Sequence, residues 1–156
     1  MLPENFINIL ENKKYIFISF STSDLQGNPN SAYKLLIKIE DDYLYLFDYP
    51  AWKTWENLKQ NPKVSMTLLD ERQLKCYKIF GTVEIIEEGA VHEKMREAID
   101  KKRTDITTKH IVEAVRGDAG YGLFEDQISE KFVLYKVKVG NLEEVTFAKT
   151  PGNIES

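Results

Sequence analysis

Tyr43-Leu44-Tyr45-Leu46-Phe47-Asp48-Tyr49-Pro50-Ala51-Trp52-Lys53-Thr54-Trp55-Glu56-Asn57-Leu58 is the stretch in which the chain changes period. Residues 43–47, aromatic and leucine, read as a strand. Beyond Tyr49-Pro50, Ala51, Trp55 and Leu58 recur at helical spacing, so residues 51–60 read as a short helix. Asn61-Pro62 ends it, because the residue before a proline avoids the α region. Lys63 to Leu69 resumes strand character, with Val64 and Met66 on one face.

Strands extend from this point in both directions. Upstream, Tyr15-Ile16-Phe17-Ile18-Ser19-Phe20-Ser21-Thr22 is aromatic and β-branched. The turn Asp24-Leu25-Gln26-Gly27-Asn28-Pro29-Asn30 follows, then a strand over about 32–40. Glu40-Asp41-Asp42 turns that strand back into 43–47. Residues 3–12 read as a helix with Phe6, Ile7 and Leu10 on one face and Pro3 in its first turn. Downstream, Asp70-Glu71-Arg72-Gln73 turns the chain into a long strand, 74–87, bent by a bulge at Gly81. The last third changes character again. Val91, Met95 and Ile99 predict a helix over about 89–102; Ile111, Val112 and Val115 predict a second over about 106–116. Residues 117–122 read as a glycine-rich loop. Lys131 to Val139 alternates, with Phe132, Leu134 and Lys136 on one face and Val133, Tyr135 and Val137 on the other. Gly140-Asn141 reads as a turn, with 142–147 as a short added strand. The whole is a mostly β chain with helices: one domain over 1–156, a six- to seven-stranded antiparallel barrel with a helical insertion before the last strands.

The 156 residues suffice for one full core, and 42% hydrophobic with 29% charged is a globular balance. A net charge of −4 lacks the basic face that nucleic acid requires. The single cysteine, Cys76, excludes an internal disulfide and a cysteine-cluster metal site. No apolar run approaches the roughly 20 residues of a spanning helix, and Met1-Leu2-Pro3-Glu4-Asn5 shows no signal peptide, so neither a membrane nor export is expected. The cytoplasm is the expected compartment.

Few side chains suggest chemistry outright. His92 and His110 fall on separate predicted helices and read as helix-surface residues, with no metal site. Lys101-Lys102-Arg103 reads as a solvated C-terminal turn complementing the dipole. Cys76, alone on a strand, reads as a small hydrophobe. The helix beginning near Ala51 offers more. Its first backbone N–H groups are unpaired and the dipole is positive there, while Lys53 and Thr54 add an ammonium and a hydroxyl, as a phosphate monoester needs.

From Tyr15 to about Glu87 the chain resembles the FMN-binding split-barrel superfamily, the pyridoxamine 5'-phosphate oxidase-like proteins. The resemblance rests on the Gly27-Asn28-Pro29 turn, the hairpin, the short helix with Asn57-Leu58, the run Asn61-Pro62-Lys63-Val64-Ser65, and the strand Lys75 to Glu84. The likeness to the small FMN-binding protein of the superfamily starts at Met1-Leu2-Pro3 and includes Phe6, Leu10, Asn30 and Lys53-Thr54. It covers residues 1 to about 87.

The resemblance implies a split β-barrel that binds FMN. Lys53 and Thr54 would hold the phosphate, where the oxidases carry Arg-Lys. Asn30, Ser31, Ala32 and Tyr33 would line the ribityl chain and the isoalloxazine edge through backbone groups. Phe47 and Asp48 take the place of a Tyr-Thr pair beside the flavin, with Trp52 next to the phosphate pair. Cys76 stands where the oxidases carry a flavin-contacting Gln. The substrate elements of the oxidases, an Arg-x-His and a late Trp, are missing after Lys131. The expectation is therefore an FMN-dependent redox protein, either an enzyme acting on an unknown small molecule or an electron carrier, and a homodimer with flavin at the interface. The alternative is a split-barrel binding or sensor protein that has lost FMN or holds haem or a deazaflavin. Cys76 and Asp48 favour the alternative, since an aspartate beside the ring repels the reduced anion.

Overall fold

Pro3 starts a helix without needing its missing N–H, and the first helix, α1, runs Glu4–Glu11 with Phe6 and Leu10 buried. In the computed structural model of the chain, which describes residues 1–115 and 131–147, the remaining elements follow in the order read from the sequence. They are β1 (Ile16–Ser23), β2 (Pro29–Glu40), β3 (Tyr43–Asp48), α2 (Lys53–Gln60), β4 (Lys63–Asp70), β5 (Lys75–Ile86), α3 (Ala90–Val115) and β6 (Val133–Thr146). The strands close into an antiparallel barrel in the order β1-β2-β3-β6-β5-β4.

Strand parity sorts the core into two layers. Inward residues, among them Ile18, Phe20, Leu44, Leu46, Met66, Ile79 and Val137, fill the barrel. Phe6 of α1 packs on Tyr77 with ring centroids 5.3 Å apart and closes one end. Leu58 of α2 joins the core at the other end, where Asn57 donates to Thr22 and Asn61 to Ser23, each at 3.2 Å. The lumen is thus full of side chains, as expected for a six-stranded barrel. The outer face of β2, β3 and β6, with Phe132 just before β6, carries the second layer: Leu35, Ile37, Tyr45, Phe132 and Leu134 lie beneath Met95, Ile99 and Ile106 of α3.

Three expectations change. The two helices expected at 89–102 and 106–116 are one helix, because Lys101 to Asp105 contains no glycine or proline and the middle is tied down. There Lys102 Nζ donates to the Lys14 carbonyl at 3.1 Å, and Lys14 pairs with Asp105 at 3.4 Å. Lys101-Lys102-Arg103 therefore sits in mid-helix, not at a C-terminal turn. Second, Gly140-Asn141 is not a turn. β6 runs through it, so the barrel has six strands and no seventh at 142–147. Third, His92 is 6% exposed and not a surface residue, and it shares α3 with His110. The glycine-rich stretch 117–122 lies outside the described residues.

The bulge expected at Gly81 is present. Phe80 pairs with Asn141 and Gly81 with Val139, so Gly140 is the extra residue and it lies on β6. Gly81 allows the close approach. A Cβ there would lie 2.6 Å from the Lys138 carbonyl oxygen and 2.7 Å from Val137 Cγ1. Since backbone cannot swing aside, Gly81→Ala is expected to cost about 1–3 kcal/mol. Urea unfolding measures it, and a midpoint equal to wild type would mean the two strands separate freely at this point.

Candidate functional site

The chain leaves β3 through Asp48-Tyr49-Pro50-Ala51-Trp52 and enters α2. Ala51 takes φ 90, a left-handed value that an L-residue adopts only under constraint, so this turn is held against its own preference. α2 has Trp52 at its N-cap and no side-chain cap. Its first hydrogen bond runs from the Glu56 amide to the Trp52 carbonyl at 3.1 Å, leaving the amides of Lys53, Thr54 and Trp55 without a capping side chain. Lys53 stands half-exposed at this end, with Glu56 3.8 Å away in a loose surface pair. Thr54 is buried, and its hydroxyl accepts from Asn30 Nδ2 at 3.2 Å, which fastens the start of α2 to β2.

Beneath the turn lies a buried polar cluster. Asp48 follows the parity of Leu44 and Leu46 and points into the barrel, where it is 1% exposed. Lys34 Nζ, itself buried, stands 2.8 Å from Asp48 Oδ1. The contact is a buried ion pair, and no other described group bonds to Oδ1. The Tyr135 hydroxyl donates to Oδ2 at 2.7 Å. Burial, and then the neighbouring Asp48 carboxylate, push the Tyr135 hydroxyl far above its ordinary pKa, so it remains a donor. The Lys34 ammonium also lies 5.2 Å from the centre of the half-exposed Trp52 ring. Asp48 thus has a counter-charge in the barrel.

The other expected residues fall into two regions. Phe47 lies on the outside of β3 in an aromatic row: its ring is 4.9 Å from Tyr49 and 5.8 Å from Phe132, and Tyr49 is 5.3 Å from Trp52. Ser31 faces outward, accepting from Ser21 at 3.3 Å, and Ala32 pairs with Phe20 on β1. Tyr33 is 74% exposed and shares a groove of about 330 Å³ with Cys76, Phe17, Ser19, Thr67 and Leu69. By the barrel register Cys76 is level with Phe17 and Leu35, five residues along β2 from Asn30. At the rise of an extended strand that is about 17 Å, so Cys76 lies apart from the start of α2.

Lys34 and Tyr135 were not among the expected site residues. A lysine with the parity of Leu36 in an apolar strand signals a buried partner, which only the pairing of β2, β3 and β6 supplies.

Comparison with known proteins agrees with this architecture. HupZ of Group A Streptococcus is 20% identical, with 97% of this chain and 100% of that chain covered and a TM-score of 0.63. An F420 reductase is 17% identical, with 91% and 98% covered and a TM-score of 0.60. A pyridoxamine 5'-phosphate oxidase-related, FMN binding protein of Nostoc punctiforme is 13% identical, with 97% and 87% covered and a TM-score of 0.62. At these identities the likeness is one of fold. Comparison with curated proteins finds no match. The signature of one family, pyridoxamine 5'-phosphate oxidase, matches residues 5–142, and with so much of the chain matched it belongs to that family.

Proposed function

We propose that the chain is an FMN-binding redox protein, acting on a small molecule or carrying electrons, with the FMN phosphate held at the start of α2. The uncapped first turn of α2 carries the reading: free amides, a positive helix end and the exposed Lys53 ammonium together fit a phosphate dianion. Because the lumen is full, the flavin belongs on the outer surface. There the backbone of Asn30 to Tyr33 would line it, with Phe47 and Trp52 as aromatic neighbours. Bound FMN supplies the hydride or electron chemistry; the protein supplies anchoring, orientation and polarity. Lys34 supports this reading, since its charge offsets the Asp48 carboxylate that would otherwise repel a reduced flavin anion.

A homodimer is part of the proposal. Phe17, Tyr33, Leu69 and Phe80 stand exposed on the outer face of β1, β2, β4 and β5, as an association surface requires. No described helix is long and apolar enough to cross a membrane, and we place the protein in the cytoplasm.

The visible spectrum of the purified chain after reconstitution with FMN tests the reading, with sedimentation to report the dimer. A retained flavin band is expected; a haem band or no band would replace FMN with the alternative of a flavin-free split barrel. Turnover of pyridoxine or pyridoxamine 5'-phosphate is not expected, because the Arg-x-His element is missing and Cys76 stands in place of an amide. Turnover at the rate of a true oxidase would overturn that assignment.

A further inference from the structure

We propose that the cavity between α2 and the first turns of α3 binds an uncharged planar aromatic molecule whose hydroxyl or N–H donates to His92 Nδ1. The proposal goes beyond the flavin reading and does not depend on it.

The cavity holds about 640 Å³, within the range of small-molecule sites, and opens beside Pro50 and Trp55. Its floor is aromatic. The His92 ring lies on Phe132 with centroids 3.9 Å apart and planes 8° from parallel, and Trp55 forms a second wall. His92 is 6% exposed, and its Nε2 is 2.8 Å from the Phe132 carbonyl oxygen. A carbonyl only accepts, so Nε2 carries a hydrogen, and in the imidazole form Nδ1 is left as the acceptor. Nδ1 has no partner among the described residues. An oriented, buried imidazole with one free acceptor, lining a cavity, is built to receive a donor.

The charges around it select against ions. Among the described lining residues, Glu87, Glu88 and Glu93 face Arg96 and Lys131, one negative charge in excess, so an anion is disfavoured. Glu87 is engaged by Trp55 Nε1 at 3.0 Å, and Glu93 by Arg96 at 3.3 and 3.4 Å. A cation over the floor would meet Arg96, whose guanidinium carbon already sits 5.1 Å from the centre of Phe132. An uncharged ring with one donor escapes both penalties.

The test titrates the full chain with p-cresol, its methyl ether p-methylanisole, p-hydroxyphenylacetate and tyramine. It follows tryptophan fluorescence and the imidazole nitrogen resonances. p-Cresol is expected to move the His92 Nδ1 resonance, to leave His110 unmoved, and to bind about 2- to 10-fold tighter than p-methylanisole, the worth of one neutral hydrogen bond. The acid and the amine should both bind more weakly than p-cresol. His92→Phe, which keeps the stack and removes the nitrogen, should abolish the difference between p-cresol and its ether. Should that variant fail to fold, the wild-type comparison decides alone. No binding of p-cresol, equal affinity for phenol and ether, or a response at His110 instead of His92 would overturn the proposal.

Discussion

Lys34→Met should destabilise the barrel by about 3–5 kcal/mol, the usual cost of stranding one member of a buried ion pair. Both partners are almost fully buried, 3% and 1% exposed, so water cannot take over the lost interaction. With Lys34 gone, the Asp48 carboxylate keeps only the Tyr135 hydroxyl among the described residues. Asp48→Leu should cost a similar amount, because it strands the ammonium instead. The double variant Lys34→Met/Asp48→Leu removes both charges, and apolar replacement of a whole buried pair is commonly neutral or stabilising. It leaves the Tyr135 hydroxyl unpaired, a cost of about 1–3 kcal/mol that adding Tyr135→Phe should recover. Urea unfolding at neutral pH measures all four proteins. Single variants within about 1 kcal/mol of wild type would mean that the cluster is hydrated in solution.

The cluster also sets an alkaline limit. The folded pKa of Tyr135 is raised, by burial first and Asp48 second, whereas tyrosine in the unfolded chain ionises near about 10. The unfolded state therefore loses its proton first as pH rises. Tyr135 contributes its full share below about pH 10 and loses it above, with a slope near 1.4 kcal/mol per pH unit. Tyr49 and Tyr77 are raised too, both chiefly by burial, and add to the slope. Tyr135→Phe should flatten the alkaline limb by one residue's share.

The same residues show what the sequence could and could not reveal. Strands were legible where burial alternates: Val133, Tyr135 and Val137 do face the lumen, while Phe132 and Leu134 face α3. The bulge was legible because Gly81 interrupts a strand of large side chains. The single long helix was not, since an amphipathic pattern that fades after Ile99 looks like a break even when no breaker residue is present. His92 shares a stripe with Met95 and Ile99, three and seven residues on, and that spacing already marks its buried face. Asp48 illustrates the harder limit. Its parity with Leu46 points it inward, but whether an inward carboxylate is tolerable depends on Lys34 and Tyr135, and Tyr135 is 87 residues distant along the chain. Such a cluster exists only once β2, β3 and β6 are paired.

Lys53→Ala is expected to weaken FMN about 10- to 150-fold, the loss of one charge-assisted hydrogen bond to phosphate. Lys53 has little to give up on binding. It is 54% exposed, and its only ion-pair partner among the described residues, Glu56, is 3.8 Å away and equally open to water. The amides of α2 already favour an anion there, so the ammonium adds to a preformed field rather than creating one. Lys53→Glu should do worse, since it sets a carboxylate against the phosphate. Thr54→Val should cost less than Lys53→Ala, because only a neutral hydroxyl is lost. Yet Thr54 is buried and accepts from Asn30, so part of that cost should appear as stability and not as affinity. Riboflavin, lacking the phosphate, should bind wild type weakly and be nearly indifferent to Lys53→Ala. Flavin-fluorescence titration of the four proteins with both ligands separates these effects. Equal FMN affinity in wild type and Lys53→Ala would place the phosphate elsewhere than the start of α2.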